Sequence, residues 1–369
     1  SQPIYAITSD GQDLHFGGGK TLKVGTNGDD YYDGIVRWTG SASYPVGNGL
    51  IFPSSVCTSE KDRVPGVRSI LIYNGELLIG GDFTASGPQE TPNTNVHHIA
   101  RLVAGTGSWA ALGANRLNGP VRSLAQFGGV LYAGGQFTAA GTNTAVRYIA
   151  RLVDNQWIPI GEGVNGPVLT LLAHGGRLFV GGEFSIAGGL TNANCVAVWN
   201  GRHWAAIGRG VSDGLPAIPN DSCNATNRVL ALAARGDELF IAGNFTKAWN
   251  DGEAVGASRI AKASRDERGQ TWIWSALGTG LFDNDYPELT TGNALAIGDL
   301  PGQMGYFVAV AGRFTHAGGL PADRVARWVV GPADCAQAGA PSVTITYPVQ
   351  AQTITLPTNL TVSATASAF

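Results

Sequence analysis

From Ile4 to Val330 the chain is a succession of short apolar runs separated by glycine-rich and polar turns. That pattern predicts many short strands and no long helix. The runs recur as a set. Pro120–Gly166 and the segment starting at Pro167 carry the same four apolar segments in the same order, so each unit predicts a four-stranded antiparallel meander. The first segment is Val121-Arg122-Ser123-Leu124, with versions at Ile4, Val67, Val168, Val229 and Ala294. The second ends in small residues and an aromatic, as in Gly80-Gly81-Asp82-Phe83-Thr84, Gly134-Gly135-Gln136-Phe137-Thr138 and Gly181-Gly182-Glu183-Phe184-Ser185. Softer copies stand at Ala242–Thr246 and Ala311–Thr315, and a degenerate one at Leu14–Gly18.

The third segment is Ile99-Ala100-Arg101-Leu102 and its copies at Ile35, Ile149, Val196, Ile260 and Val325. The fourth is Trp-x-x-(Leu/Ile)-Gly, from Trp109, Trp157, Trp204 and Trp274. Six units follow from the second landmark, and the sixth shows no fourth strand after Trp328. That unit either has three strands or is completed by a segment from elsewhere. Paired glycines allow close backbone approach, and the Phe and Trp supply large apolar area for packing unit on unit. The repeated residues therefore read as structural.

The Gly-Gly pair closing the second strand and the later Trp resemble the kelch-type repeat, in a form similar to that of secreted bacterial surface proteins. The resemblance implies an all-β, six-bladed kelch-like β-propeller over 1–333. Ser264–Trp272 resembles the Asp-box turn of sialidase-type propellers with one residue inserted, a folding turn rather than a catalytic site. After Val330 the composition changes. Residues 334–341 read as a linker, and 342–369 as the start of an immunoglobulin-like domain or an exchanged β-strand segment, since Ser342–Tyr347 and Leu360–Ala364 alternate with period two. A free alternating strand can add to an exposed sheet edge, its own or a neighbour's.

Charge narrows the partners. A net charge of −3, with no basic stripe, argues against nucleic acid, and no apolar run reaches the ~20 residues of a membrane span. The start at Ser1-Gln2-Pro3 fits a chain matured by signal cleavage, hence a secreted, extracellular or cell-surface location. The 4 cysteines lack CxxC spacing, and in an exported protein an even count allows disulfides. Cys57 and Cys223 lie in two equivalent long insertions, 48–65 and 211–227, so a bridge between them is a candidate. Cys195, inside an apolar strand, reads equally as a buried thiol.

Acidic clusters at Asp29, Asp30 and Asp33 and at Asp283 and Asp285 offer oxygen ligands for calcium, or are solvated turns. No set of residues converges on a catalytic centre. The expectation is a non-enzymatic extracellular module for adhesion, assembly or carbohydrate recognition. Its partner would be a polysaccharide or cell-surface component, or another copy through the C-terminal segment. The alternative is an extracellular polysaccharide-acting enzyme, or the accessory propeller of a longer one, for which the sign would be paired carboxylates in an axial pocket.

Overall fold

The computed structural model describes residues 3–20, 33–53, 64–212, 227–266, 268–300, 305–330 and 364–365. It is all-β. Five successive antiparallel sheets carry four consecutive strands each, and a sixth carries three. The first strands of the sheets are β1 (Ile4–Ser9), β2 (Val67–Tyr73), β3 (Val121–Phe127), β4 (Val168–His174), β5 (Arg228–Arg235) and β6 (Thr291–Asp299). Each of these packs on the next along the row from β1 to β6. A short terminal strand, β7 (Ala364–Thr365), pairs antiparallel with β1 and becomes the fifth strand of sheet one.

The repeat explains the stacking. The first glycine of each pair faces the valine opening the next sheet. A Cβ built on Gly17, Gly80, Gly134 or Gly181 would come within 3.0 Å of Val67, Val121, Val168 or Val229. Between sheets five and six the small residue has changed sides: Ala242 stands where the glycine was, and Gly292 replaces the valine. The aromatic that follows is fully buried in each case, as Phe83, Phe137, Phe184, Phe245 and Phe314, each contributing about 1.5–3 kcal/mol of apolar burial.

The tryptophan motif is a second interlock. Trp157, Trp204 and Trp274 each donate their indole N–H to a carbonyl of the preceding unit, that of Leu112 at 3.0 Å, Ile160 at 3.1 Å and Ile207 at 2.9 Å. Each acceptor precedes the glycine of the earlier Trp-x-x-(Leu/Ile)-Gly. A side chain on Gly113 or Gly208 would collide with the incoming ring. The linking segments add a third tie. Leu50–Ile51 pairs with Ala85–Ser86, Val211–Ser212 with Lys247–Trp249, and Leu281–Phe282 with His316–Ala317. Single bridges Leu117–Ala140 and Val164–Ala187 serve the other two junctions.

The closed six-bladed propeller is not formed. The sheets are discrete, none closes into a barrel, and the row does not close on itself. The reason is visible at the two ends. Ile4 occupies the position of Val67, Val121, Val168 and Val229, which are all fully buried, yet it is 45% exposed. Val325 is 58% exposed, whereas its equivalents Ile35, Ile99, Ile149, Val196 and Ile260 are buried. Ala311 stands in the glycine position of sheet six, and Ile4 stands in the valine position of sheet one, with no compensating glycine at either place. The interlock tolerates no Cβ against a valine, so an alanine against a larger isoleucine cannot repeat it.

Of the segment 342–369, read as the start of an immunoglobulin-like domain or an exchanged strand, only Ala364–Thr365 lies among the described residues, and that pair adds to sheet one. No disulfide is found among the described residues. Cys195 is a buried thiol whose Sγ donates to the Asn227 carbonyl at 3.4 Å, which commits it to the junction of sheets four and five. Cys57 and Cys223 lie outside the described residues.

Candidate functional site

A β-bulge recurs in every first strand. Register slips between Ile4 and Ala6, Val67 and Ser69, Val121 and Ser123, Val168 and Thr170, Val229 and Ala231, and Gly292 and Ala294. The bulge residue is therefore Tyr5, Arg68, Arg122, Leu169, Leu230 or Asn293, re-aimed out of the ladder. In sheets one to three this gathers a charged cluster. Arg68 Nε donates to Asp82 Oδ2 at 2.8 Å, and Arg122 reaches Asp82 Oδ1 at 3.3 Å and Gln136 Oε1 at 2.9 Å. The Arg68 guanidinium lies 3.8 Å from the centre of the Tyr5 ring. Asp82 is 1% exposed. Burial alone would raise its pKa, but the charges of Arg122 and Arg68 outweigh burial and hold it below the ordinary carboxylate value. Two arginines on one buried carboxylate tie sheet two to sheet three, although Asp82 Oδ1 and Arg122 Nε make no hydrogen bond among the described residues.

The hydroxyls beside these arginines also cross between sheets. Ser69 Oγ accepts the amide of Leu124, and Ser123 Oγ accepts that of Leu171, both at 3.0 Å. They line a cavity of about 280 Å³ shared by β1 to β5, with Ala6, Thr8, Arg68, Ala125, Gln126 and Ala173 among its walls. Among the described residues its lining includes an arginine and hydroxyls and no carboxylate. The paired carboxylates that would mark a glycosidase are thus not part of this cavity.

A second space, of about 340 Å³, is a groove between the outer strands of sheets four and five. Val198, Ala205, Ala206 and Trp272 form its apolar floor. Arg177, Asn192, Asn200, Asp251, Arg265 and Gln270 rim it. One wall is held by the turn that resembles an Asp box. Asp266 Oδ1 accepts the Gln270 amide at 2.6 Å and its Oδ2 accepts the Thr271 hydroxyl at 2.7 Å. These hydrogen bonds, led by that from Thr271, hold the Asp266 carboxyl below its usual pKa. Arg265 lies over the Trp272 ring at 5.2 Å. Turn and stacking together keep the rim in place while leaving the Asn192, Asp251 and Gln270 side chains without hydrogen bonds among the described residues.

The acidic residues singled out in sequence fall apart in space. Asp29 and Asp30 lie outside the described residues. Asp33 lies in the bend before the strand Ile35–Trp38 of sheet one, where burial pushes its carboxyl upward against the opposing effect of Lys20. Asp283 Oδ1 accepts the amides of Asp285 at 3.0 Å and Tyr286 at 3.2 Å, closing its own loop after sheet five. No group of three or more His, Cys, Asp or Glu side chains among the described residues is placed to hold a metal. Neither space was legible in the sequence, because each is assembled from residues of several units.

No helix among the described residues is long and apolar enough to cross a membrane. No family model matches the chain, so the kelch resemblance is corrected: the glycine pairs and tryptophans follow from local packing needs and carry no family assignment. No curated protein matches. Among solved structures, the computationally designed Ika8 protein is similar over 89% of this chain and 83% of its own, with 12% identity and a TM-score of 0.41, a likeness too weak to carry an argument.

Proposed function

We propose that this protein is a non-enzymatic extracellular recognition module that takes a carbohydrate in the groove between sheets four and five. The observation that carries the reading is the composition of that groove: an apolar floor with Trp272, rimmed by planar polar side chains that have hydrogen-bonding capacity to spare. Sugars present apolar ring faces and outward hydroxyls, and a pocket with a small apolar base and a few convergent polar groups matches both. Asp251, Asn192 and Gln270 supply carboxylate and amide partners, and Arg177 and Arg265 add cationic donors.

The test is a panel of neutral and acidic polysaccharides titrated into the purified chain by calorimetry, with product release followed in parallel. Saturable binding without turnover, weakened about tenfold or more in Asp251→Ala or Asn192→Ala, is the expected result. Product release would move the protein to the polysaccharide-acting enzymes. Binding that is unaffected by both substitutions would remove the groove from the account.

A further inference from the structure

The groove between sheets four and five has two chemically different ends. At one end stand Arg177 and Arg265, gathered around a single residue, Asp237. The Asp237 carbonyl accepts the Arg265 amide at 3.3 Å, and Arg177 Nη1 lies 3.7 Å from Asp237 Oδ1. At the other end stands Asp251. The side chain of its neighbour Asn250 holds that turn to the backbone of Trp274, accepting its amide at 2.8 Å and donating to its carbonyl at 3.2 Å. Trp272 is the cross-strand partner of Arg265, and Trp274 lies two residues further along the same strand, about 7 Å away.

We propose that the sugar held in this groove is a uronate, with its carboxylate on Arg177 and Arg265 and its hydroxyls toward Asn192 and Asp251, an inference that rests on the groove being the carbohydrate site. Charge complementarity carries it. Among the described residues, two guanidiniums line the groove against a single carboxylate, that of Asp251. Neither arginine is committed to a close carboxylate. Arg265 forms no salt bridge among the described residues, since the adjacent Asp266 carboxylate is turned onto the Gln270 amide and the Thr271 hydroxyl. The acidic neighbour of Arg177 is Asp237, which is 70% exposed and beyond hydrogen-bond reach, and such a solvent-screened pair costs little to exchange for a ligand. Arg265 is also set in place beforehand. Its Nη1 donates to the Gln270 carbonyl at 3.2 Å, and its guanidinium lies over Trp272. Trp272 itself is only 8% exposed, so this end of the groove offers a ligand a cationic plane rather than an indole face. A guanidinium matches a planar carboxylate with two parallel N–H donors, whereas a neutral sugar leaves those donors to water.

Affinity for an acid and for its own methyl ester tests the proposal, because the two differ only at the carboxyl group. Oligomers of galacturonate, glucuronate and mannuronate are each titrated into the full chain beside their methyl-esterified forms. At least one free acid is expected to bind about tenfold or more tighter than its ester. Arg265→Gln and Arg177→Gln, each checked for an unchanged unfolding midpoint, are expected to remove that preference and leave the affinity for the ester as it was. Acid and ester bound equally, with Asp251→Ala weakening both, would overturn the uronate and keep the groove as the site. A preference for the acid that survives both arginine substitutions would overturn it too, by placing the carboxylate elsewhere. Binding of neither form in any pair would sink the uronate as well, and the neutral polysaccharides of the panel then decide separately whether the groove stands as the site.

Discussion

The junctions inside the row and the gap between its ends are built from the same repeat, yet they behave oppositely. Inside, a glycine meets a valine and both disappear from solvent, as Gly134 does with Val168. At the ends, Ala311 and Ile4 occupy the corresponding positions, and Ile4 stays 45% exposed. Sheets five and six show that one alanine can be absorbed, provided the other side gives up its side chain, as Gly292 does for Ala242. A repeat therefore specifies a stack only where both halves of its contact are kept.

Disrupting the inner junctions should cost most. Trp157 is fully buried and donates to Leu112 across the junction of sheets two and three. Trp157→Ala should lower stability by about 3–5 kcal/mol in denaturant unfolding. Asp82→Ala leaves the Arg68 and Arg122 charges buried without their carboxylate, a loss of about 3–5 kcal/mol. Asp82→Asn should lose less if hydrogen bonding matters more than charge. Gln136, which also accepts from Arg122, makes that comparison informative.

Acid should act next, and at the same junctions. The His98 ring is half-buried, and desolvation, with His97 and Arg122 adding repulsion, holds its pKa down at about 4. Because the folded value lies below the unfolded ~6.5, the unfolded chain binds the proton first. His98 therefore contributes stability above pH ~6.5 that is lost as pH falls toward 4, about 3 kcal/mol in all. Asp82, depressed in the fold, adds a further loss only below its unfolded value near 3.9. Unfolding free energy should fall in two stages, and His98→Gln should flatten the upper one. The smallest effect belongs to Gly134→Ala, which inserts one methyl group against Val168. It should cost about 1–3 kcal/mol, and a loss near zero would mean the junction can spread without penalty.

Much of the strand pattern was legible because it rests on local chemistry. Each apolar segment between Val67 and Ala276 marks a strand of a four-stranded sheet, and among the described residues the sixth sheet has three strands, ending at Val330. Closure was not legible from the count of units: Ala311 and Ile4, separated by nearly the whole chain, depart from the glycine and valine of the inner junctions, and Ile4 stays exposed. The bulges were hidden for a different reason. Register slips at Val67/Ser69 and Val121/Ser123 leave no mark on hydrophobic alternation, although Arg68 and Arg122 inside apolar runs hinted that something redirected them. Of the two readings open for Cys195, the apolar run around it pointed to the right one, a buried thiol, which donates to Asn227. The groove was invisible because Arg177, Asp251 and Trp272 meet only after two sheets have stacked.

The most direct measurement is hydrogen exchange along the unsubstituted chain and along a variant combining Ala311→Gly with Ile4→Val, which restores both halves of the missing contact. The account predicts that Tyr306–Arg313 and Val325–Val330 exchange faster than Val130–Gly135 and Ile149–Val153 in the natural sequence, and that the double variant slows them toward the inner values. Equal protection at the ends and inside the row of the natural chain, or no slowing in the variant, would contradict it.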